Sequence, residues 1–389
     1  MNQRFYSLDV FRGATVALMI LVNNPGSWSH IYAPLEHASW HGLTPTDLVF
    51  PFFLFAVGNA MAFVMPKLEA AGTATFFQKV IKRTLLIFAI GLFLNWSPFI
   101  RWDGDTLVFK QWVSSTNPES GIRILGVLQR IALCYFFAAI IVYFLKYKGA
   151  FVAGIALLSL YWVLCLLGNP TDPFSLQGWF GTAIDKNILG VAHMYKGEGV
   201  PFDPEGIMST LPAITQVIFG YLAGHYIQQK GKSFEMISGL FVISGVLLFT
   251  GFCWDMIFPI NKKIWTSSYV AYTTGLAIFI LCILMYLIEF KNWKGPITTF
   301  FDVFGKNPLF IFVLSGFLPR LLGLFRWVDH TDAAGKKIYT SALPWLWDHV
   351  CAPVSENLKA GSLLYALIMI VFYWLIVYWM DKKKIYIRV

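Results

Sequence analysis

Charged residues are scarce in this sequence. They make up 13% of its 389 residues, whereas a soluble domain carries about a quarter. Apolar residues make up 57%, and stretches long enough to cross a bilayer recur along the whole chain. This composition excludes a soluble globular protein. It predicts an all-α, polytopic membrane protein that forms one transmembrane domain over residues 1–389 and has the lipid bilayer as a partner.

Cysteine is also sparse. The five cysteines lie almost entirely inside apolar segments, without a CxxC pair and without nearby histidines at ligand spacing. They are Cys134, Cys165, Cys253, Cys282 and Cys351. This pattern supports neither a disulfide framework nor a metal site, and the residues are expected to pack as small hydrophobic side chains.

A cleavable signal peptide is not evident. The first apolar stretch contains Asp9 and Arg12 and lacks a small-residue cleavage site, so it is expected to be a retained helix. The hydropathy pattern predicts about ten spans in all. They are residues 8–24, 45–65, 80–97, 123–145, 150–168, 207–228, 234–257, 268–289, 298–322 and 362–380.

Lysine and arginine are unevenly distributed between the connections. The short connections are basic, whereas residues 25–44 contain neither lysine nor arginine and the other long connections are mixed in charge. The positive-inside rule then places both termini in the cytoplasm, with Lys262 and Lys263 in an outer loop as a mild exception. The net charge of +9 follows from these loops, and nucleic acid is not an expected partner.

Several ionisable residues lie inside the predicted spans, where each costs about 2.5–3.5 kcal/mol on insertion scales. Asp9 and Arg12 are one turn apart, as are Asp302 and Lys306, and both spacings permit local ion pairs. Arg130 has no carboxylate within one turn, so it needs a partner from another element or a ligand. These groups predict a polar path through the bundle.

The outer end of that path contains His37, His41 and Asp47, at the entrance to the second span. A polar interfacial loop explains all three equally well, with Asp47 favouring the positive end of the helix dipole. Asn23 and Asn24 end the first span on the same side. They either line this mouth or simply terminate the helix ahead of Pro25.

Six motifs stand out in the sequence: SLDVFRGATVALMILVNNPG, HASWHGLTPTDLVFPFFLF, GVLQRIALCY, FDPEGIMSTLPAITQVIFGYLAG, NKKIWTSSYVAYTTGLA and VFGKNPLFIF. Together they resemble the heparan-α-glucosaminide N-acetyltransferase family, in its bacterial form. The first two are quite specific, and the match extends from Ser7 to about Phe312.

The resemblance implies a bacterial plasma-membrane acyltransferase that takes acetyl from cytoplasmic acetyl-CoA. The acceptor is an amino sugar on the far side of the membrane, and a homodimer is compatible with the family. The family's active-site histidine matches His37, and its asparagine at the end of the preceding helix matches Asn23. This chain has more residues between the two, and His41 stands where relatives often have asparagine, so no role is carried over to His41.

Two mechanisms fit these positions. In the first, His37 is the general base, Asp47 or Glu36 orients its ring, and Asn23 stabilises the oxyanion. In the second, His37 carries the acetyl group covalently. The direct route is favoured because it avoids an acyl-imidazole beside external water. The CoA phosphates are expected at cytoplasmic cations; the candidate residues are Arg12, Lys306 and Arg130, with Gln129 and Asn307 beside them in the same motifs.

Two other functions remain open from the residues alone. One is O-acetylation of a surface or cell-wall glycan, which keeps the acyltransferase and changes the acceptor to a hydroxyl. The other is sugar transport without acyl transfer, because buried charge and glycine-rich helices also occur in transporters.

Overall fold

The computed structural model describes residues 5–387 as a bundle of helices, leaving 1–4 and 388–389 outside that range. The helices are α1 (Tyr6–Asn23), α2 (Val49–Ala70), α3 (Thr73–Trp96), α4 (Val127–Gly168), α5 (Gly181–Leu189), α6 (Ile207–Lys230), α7 (Phe234–Asp255), α8 (Ser267–Met285), α9 (Pro296–Lys306), α10 (Pro308–Leu322), α11 (Ala342–Leu346) and α12 (Leu358–Lys382). A 3-10 turn, Pro45–Leu48, leads into α2.

Two short antiparallel hairpins depart from the all-α prediction. They pair β1 (Ile100–Asp103) with β2 (Thr106–Phe109), and β3 (Arg326–Thr331) with β4 (Lys337–Ser341). Both lie in long connections that the sequence left without structure. In the first hairpin, Gly104 adopts a φ of +57° in the two-residue turn, a conformation that glycine reaches without steric cost.

The structure supports a multi-pass membrane protein but does not confirm ten spans. Within residues 5–387, seven helices are long and apolar enough to cross a bilayer, or eight if α9 and α10 together form one span. Ten spans would require the 42-residue α4 to count twice, divided at the non-helical Lys146, and would also require α3. The count of ten therefore stays a prediction.

The span predicted over residues 298–322 is broken in the structure. Helices α9 and α10 meet at an angle of 79°, with Asn307 between them at φ −130° and ψ 49°. Pro308 explains the break, because a proline disfavours the helical conformation of the residue before it. The break exposes the first turn of α10 inside the bundle.

Close packing joins α1 to α9. A Cβ atom at Gly13 would lie 1.7 Å from the carbonyl oxygen of Phe301, so only glycine permits this approach. Near the same crossing, Arg12 Nε donates to the Gly305 carbonyl at 2.7 Å, and Lys306 Nζ contacts Asp381 of α12 at 3.1 Å. The start of α1 and the end of α12 therefore lie at one end of the bundle; the side of the membrane that this end faces stays a prediction.

Candidate active site

His37 lies in the loop between α1 and α2, at the opposite end of the bundle from Arg12. Its Nδ1 is 2.7 Å from Oδ1 of Asp47, which is 1% exposed. A carboxylate accepts hydrogen bonds, so we assign the ring proton to Nδ1 and the lone pair to Nε2. The His37 side chain remains 46% exposed, so a substrate can reach Nε2.

The second carboxylate oxygen of Asp47 organises the loop around His37. Oδ2 accepts from the Ala38 backbone N–H at 3.0 Å and from both the backbone N–H and the hydroxyl of Thr44, at 3.1 and 3.0 Å. Tyr269 of α8 donates its hydroxyl to the Asp47 backbone carbonyl at 2.5 Å. Asp47 is thus fixed before any substrate arrives. It orients the His37 ring, whereas the Glu36 backbone carbonyl only accepts from Thr44.

Lys262 approaches the same pair from the loop between α7 and α8. Its Nζ is 3.1 Å from His37 Nδ1 and 3.4 Å from Asp47 Oδ1. Since both nitrogens carry protons, they share the carboxylate as acceptor rather than bonding to each other. Burial lowers the pKa of Lys262, and the Asp47 carboxylate opposes that shift.

A large cavity opens at the end of the bundle where α1 begins. Its volume is about 1070 Å³, in the range of a cofactor site. Along α2 it follows one face of the helix from Phe53 to Val64. Phe53 is six residues after Asp47, or about 9 Å along a helix. The inner end of the cavity therefore comes within two turns of the residue that holds His37.

Basic side chains are concentrated on the wall of this cavity. Arg12, Arg83, Lys294 and Lys306 line it, together with the acidic Asp9 and Asp302. Arg12 also pairs with Asp9 at 2.5 Å, and Lys306 with Asp302 at 2.7 Å, as the spacings predicted. Pro308, the first residue of α10, adds a helix N-terminus to the wall, which favours an anion.

Apolar side chains line the inner part of the cavity. They include Phe53 and Val57 of α2, Leu128 and Ile131 of α4, and Phe312 of α10. The cavity thus combines a cationic region with an apolar one. Such a site suits an elongated ligand with an anionic head and an uncharged arm.

The model of one family, heparan-alpha-glucosaminide N-acetyltransferase, catalytic, matches residues 4–251. The chain belongs to this family. The matched range contains His37, Asp47, Arg12 and Arg83. Lys262, Lys294 and Lys306 lie beyond it.

Two curated proteins named heparan-alpha-glucosaminide N-acetyltransferase are similar to this member of the family. The human protein is 27% identical over 374 residues, which covers 80% of this chain and 52% of the relative. The mouse protein is 27% identical over 405 residues, which covers 87% and 58%. The chain thus spans little more than half the length of these relatives.

Within residues 5–387, four candidates from the sequence neither line the cavity nor form a hydrogen bond with His37 or Asp47. Arg130 is buried and donates to the Gly206 carbonyl at 3.1 Å and to Ser209. Gln129 donates to the Ile124 carbonyl, and Asn307 to that of Ile385. None of these three is among the described residues that line the cavity. Asn23 is exposed at the end of α1 and, within residues 5–387, makes no hydrogen bond to His37 or Asp47.

Three residues were overlooked in the sequence. Arg83 and Lys294 were counted only as loop charges, yet both line the cavity. Lys262 was treated as an exception to the charge rule, although its motif carried part of the family resemblance. The sequence does contain a signal for Arg83. It lies within the apolar span predicted over residues 80–97, where a charged residue usually contacts a partner or a cavity.

No group of three or more histidine, cysteine or carboxylate side chains within residues 5–387 is arranged to hold a metal ion.

Proposed function

We propose that this protein is a membrane N-acetyltransferase that moves acetyl from acetyl-CoA, bound in the cavity, to the amine of a glucosamine-type sugar at the opposite face. The observation that supports the proposal is the relative position of two features of the bundle. A histidine–aspartate pair lies at one end of the bundle, and a cavity with cationic walls extends towards it from the other end.

The donor is inferred from the chemistry of the cavity. CoA has a phosphorylated nucleotide head and a long uncharged pantetheine arm. Arg12, Arg83, Lys294 and Lys306 would bind the phosphates, aided by the first turn of α10. The arm would lie along the apolar wall and carry the thioester towards His37. In this proposal the nucleotide lies at the predicted cytoplasmic end of a protein in the bacterial plasma membrane.

His37 is the general base in this proposal. As the sugar nitrogen attacks the thioester carbon, Nε2 takes a proton from that nitrogen, the carbon–sulfur bond breaks, and CoA leaves as the thiolate. Asp47 stabilises the imidazolium that forms. Asn23 would donate a hydrogen bond to the oxyanion. Direct transfer is preferred to an acetyl-histidine intermediate because the His37 side chain is 46% exposed, and an acyl-imidazole in contact with water hydrolyses.

The test is acetyl transfer from labelled acetyl-CoA to glucosamine by purified protein in detergent. His37→Ala is expected to lower kcat by about 10²–10⁴, the range that a general base contributes. Asp47→Asn, which keeps one acceptor oxygen for the loop N–H groups, is expected to lower kcat by at least about 10². Acetyl-CoA binding, measured by calorimetry, should remain in both variants.

His330→Ala is the matched control. His330 also pairs with an aspartate, Asp329 at 2.8 Å, but lies on β3, far along the chain from the candidate site. Its turnover should equal that of the wild type. Undiminished turnover in His37→Ala would remove His37 from the mechanism. Wild-type transfer to sugar hydroxyls alone would favour O-acetylation, and no transfer to any acceptor would favour transport.

A further inference from the structure

We propose that Lys262 is a positioning residue that keeps His37 in its unprotonated, base-competent form. This inference rests on the proposed function of His37 and goes beyond the histidine–aspartate pair. It assigns a role to a residue 225 positions away in the sequence, outside the range that the family model matches.

The geometry makes a three-membered group. Lys262 Nζ, His37 Nδ1 and Asp47 Oδ1 lie within 3.4 Å of one another. The carboxylate is 1% exposed and the Lys262 side chain 22% exposed, so water screens their charges weakly. A buried carboxylate favours the imidazolium form of a neighbouring histidine, which has no lone pair to act as a base, and a neighbouring ammonium disfavours that form. Lys262 therefore opposes the effect of Asp47 on His37.

The loop that carries Lys262 is built to hold it there. Asn261 is fully buried; its side chain accepts from the Ile264 N–H, and its N–H donates to the Thr266 hydroxyl, both at 3.0 Å. The Ile260 carbonyl accepts from the Gly42 N–H at 2.8 Å and so ties this loop to the His37 loop. A flexible surface lysine would lack these constraints.

The other charges around Lys262 belong mostly to separate ion pairs. Lys263 binds Glu198 at 2.7 Å and the Ser39 carbonyl at 2.7 Å. Glu205 attracts Lys262 at longer range but is bound by Arg123, which also pairs with Asp203 at 2.6 Å. Asp255 accepts from the Ile260 N–H at 2.5 Å, and its charge acts on His41. The charge that acts directly on His37 and Asp47 is therefore that of Lys262.

The test measures how much His37 is unprotonated at each pH, with and without the ammonium. Diethyl pyrocarbonate modifies an imidazole ring only in its neutral form, and peptide mass spectrometry assigns the product to His37 and separates it from products on lysine. In Lys262→Met the pH midpoint of this modification should rise by about one pH unit, since the imidazolium form of His37 loses a neighbouring like charge. The pH below which the transfer rate falls should move upward by the same amount. The variant should therefore be about tenfold less active than the wild type below this pH and near-normal at pH 9.

Three further variants make the outcome decisive. Lys262→Arg should keep the wild-type midpoint, and Lys263→Met, the matched neighbour, should keep it too. Lys262→Gln should show the same rise in the midpoint and replaces Lys262→Met in the test if that variant does not fold. An unmoved midpoint in Lys262→Gln or Lys262→Met overturns the proposal. A shifted midpoint in a protein that transfers no acetyl group refutes the proposed function and leaves the Lys262–His37 coupling standing.

Discussion

At the scale of single residues, the candidate site depends on which side chains lack a partner and which are fixed. Asp47 is fixed by four hydrogen bonds to its carboxylate, including that from His37. On the cavity wall, Arg83 contrasts with it: its Nε is buried and has no hydrogen-bond partner among residues 5–387, and its guanidinium lies 4.8 Å from the Tyr135 ring. An anion in the cavity would supply the missing partner.

Arg83→Gln is therefore expected to weaken acetyl-CoA binding about tenfold, because a hydrogen bond to a charged group contributes about 1.5–3 kcal/mol. Equilibrium binding of acetyl-CoA in detergent measures this. Lys82→Gln is the control, since Lys82 is the preceding residue on α3, is exposed and is not among the described lining residues. Equal affinity in the two variants would separate Arg83 from the donor site.

The sequence predicted the His37–Asp47 pair in part and missed Lys262. Asp47 is ten residues from His37, within reach of a local turn, so it could be proposed together with Glu36. Lys262 reaches the site only through the packing of α8 against α2, which hydropathy does not describe. The partners of Arg130 could not be predicted for the same reason: Gly206 and Ser209 lie more than 75 residues away in the sequence.

At the scale of helices, the crossing of α1 and α9 positions the cavity wall. Gly13→Ala would place a Cβ against the backbone of Phe301, which cannot move aside as a side chain can. Overpacking of this kind costs about 1–3 kcal/mol, so a lower Tm is expected. Reaction of a thiol-reactive dye during heating measures it, because four of the five free cysteines are buried.

Gly245→Ala is the matched control for this crossing. Gly245 lies in α7, and a Cβ there would meet no described atom within 4 Å. Its Tm should equal that of the wild type. An unchanged Tm in Gly13→Ala would show that α1 and α9 do not pack as closely as described here.

Helix positions were largely predictable, and their interruptions less so. Apolar runs indicated every long helix, because the bilayer determines both the length and the apolar composition of a helix that crosses it. The bend at Asn307 was missed although Pro308 signalled it, since hydropathy continues across the break. The hairpins were missed because their strands have only four to six residues. The Gly104–Asp105 pair, which forms the two-residue turn of the first hairpin, was the available turn signal.

At the scale of the whole molecule, the proposed reaction uses both ends of one helix bundle. The cavity opens where α1 begins and α12 ends, and His37 lies beyond the other end of α1, which is 18 residues or about 27 Å long. Neither end is sufficient for the proposed reaction. The donor and acceptor should therefore enter from different sides of the membrane.

Transfer across a sealed membrane tests this central claim most directly. The protein is reconstituted into vesicles, its orientation is scored by trypsin cleavage in the basic segment Lys382–Lys384, and labelled acetyl-CoA and glucosamine are supplied on the same or on opposite sides. Acetylated sugar is expected only when acetyl-CoA is on the side of the membrane that exposes Lys382–Lys384 and glucosamine is on the opposite side. Product that forms only when both substrates are on one side would contradict it.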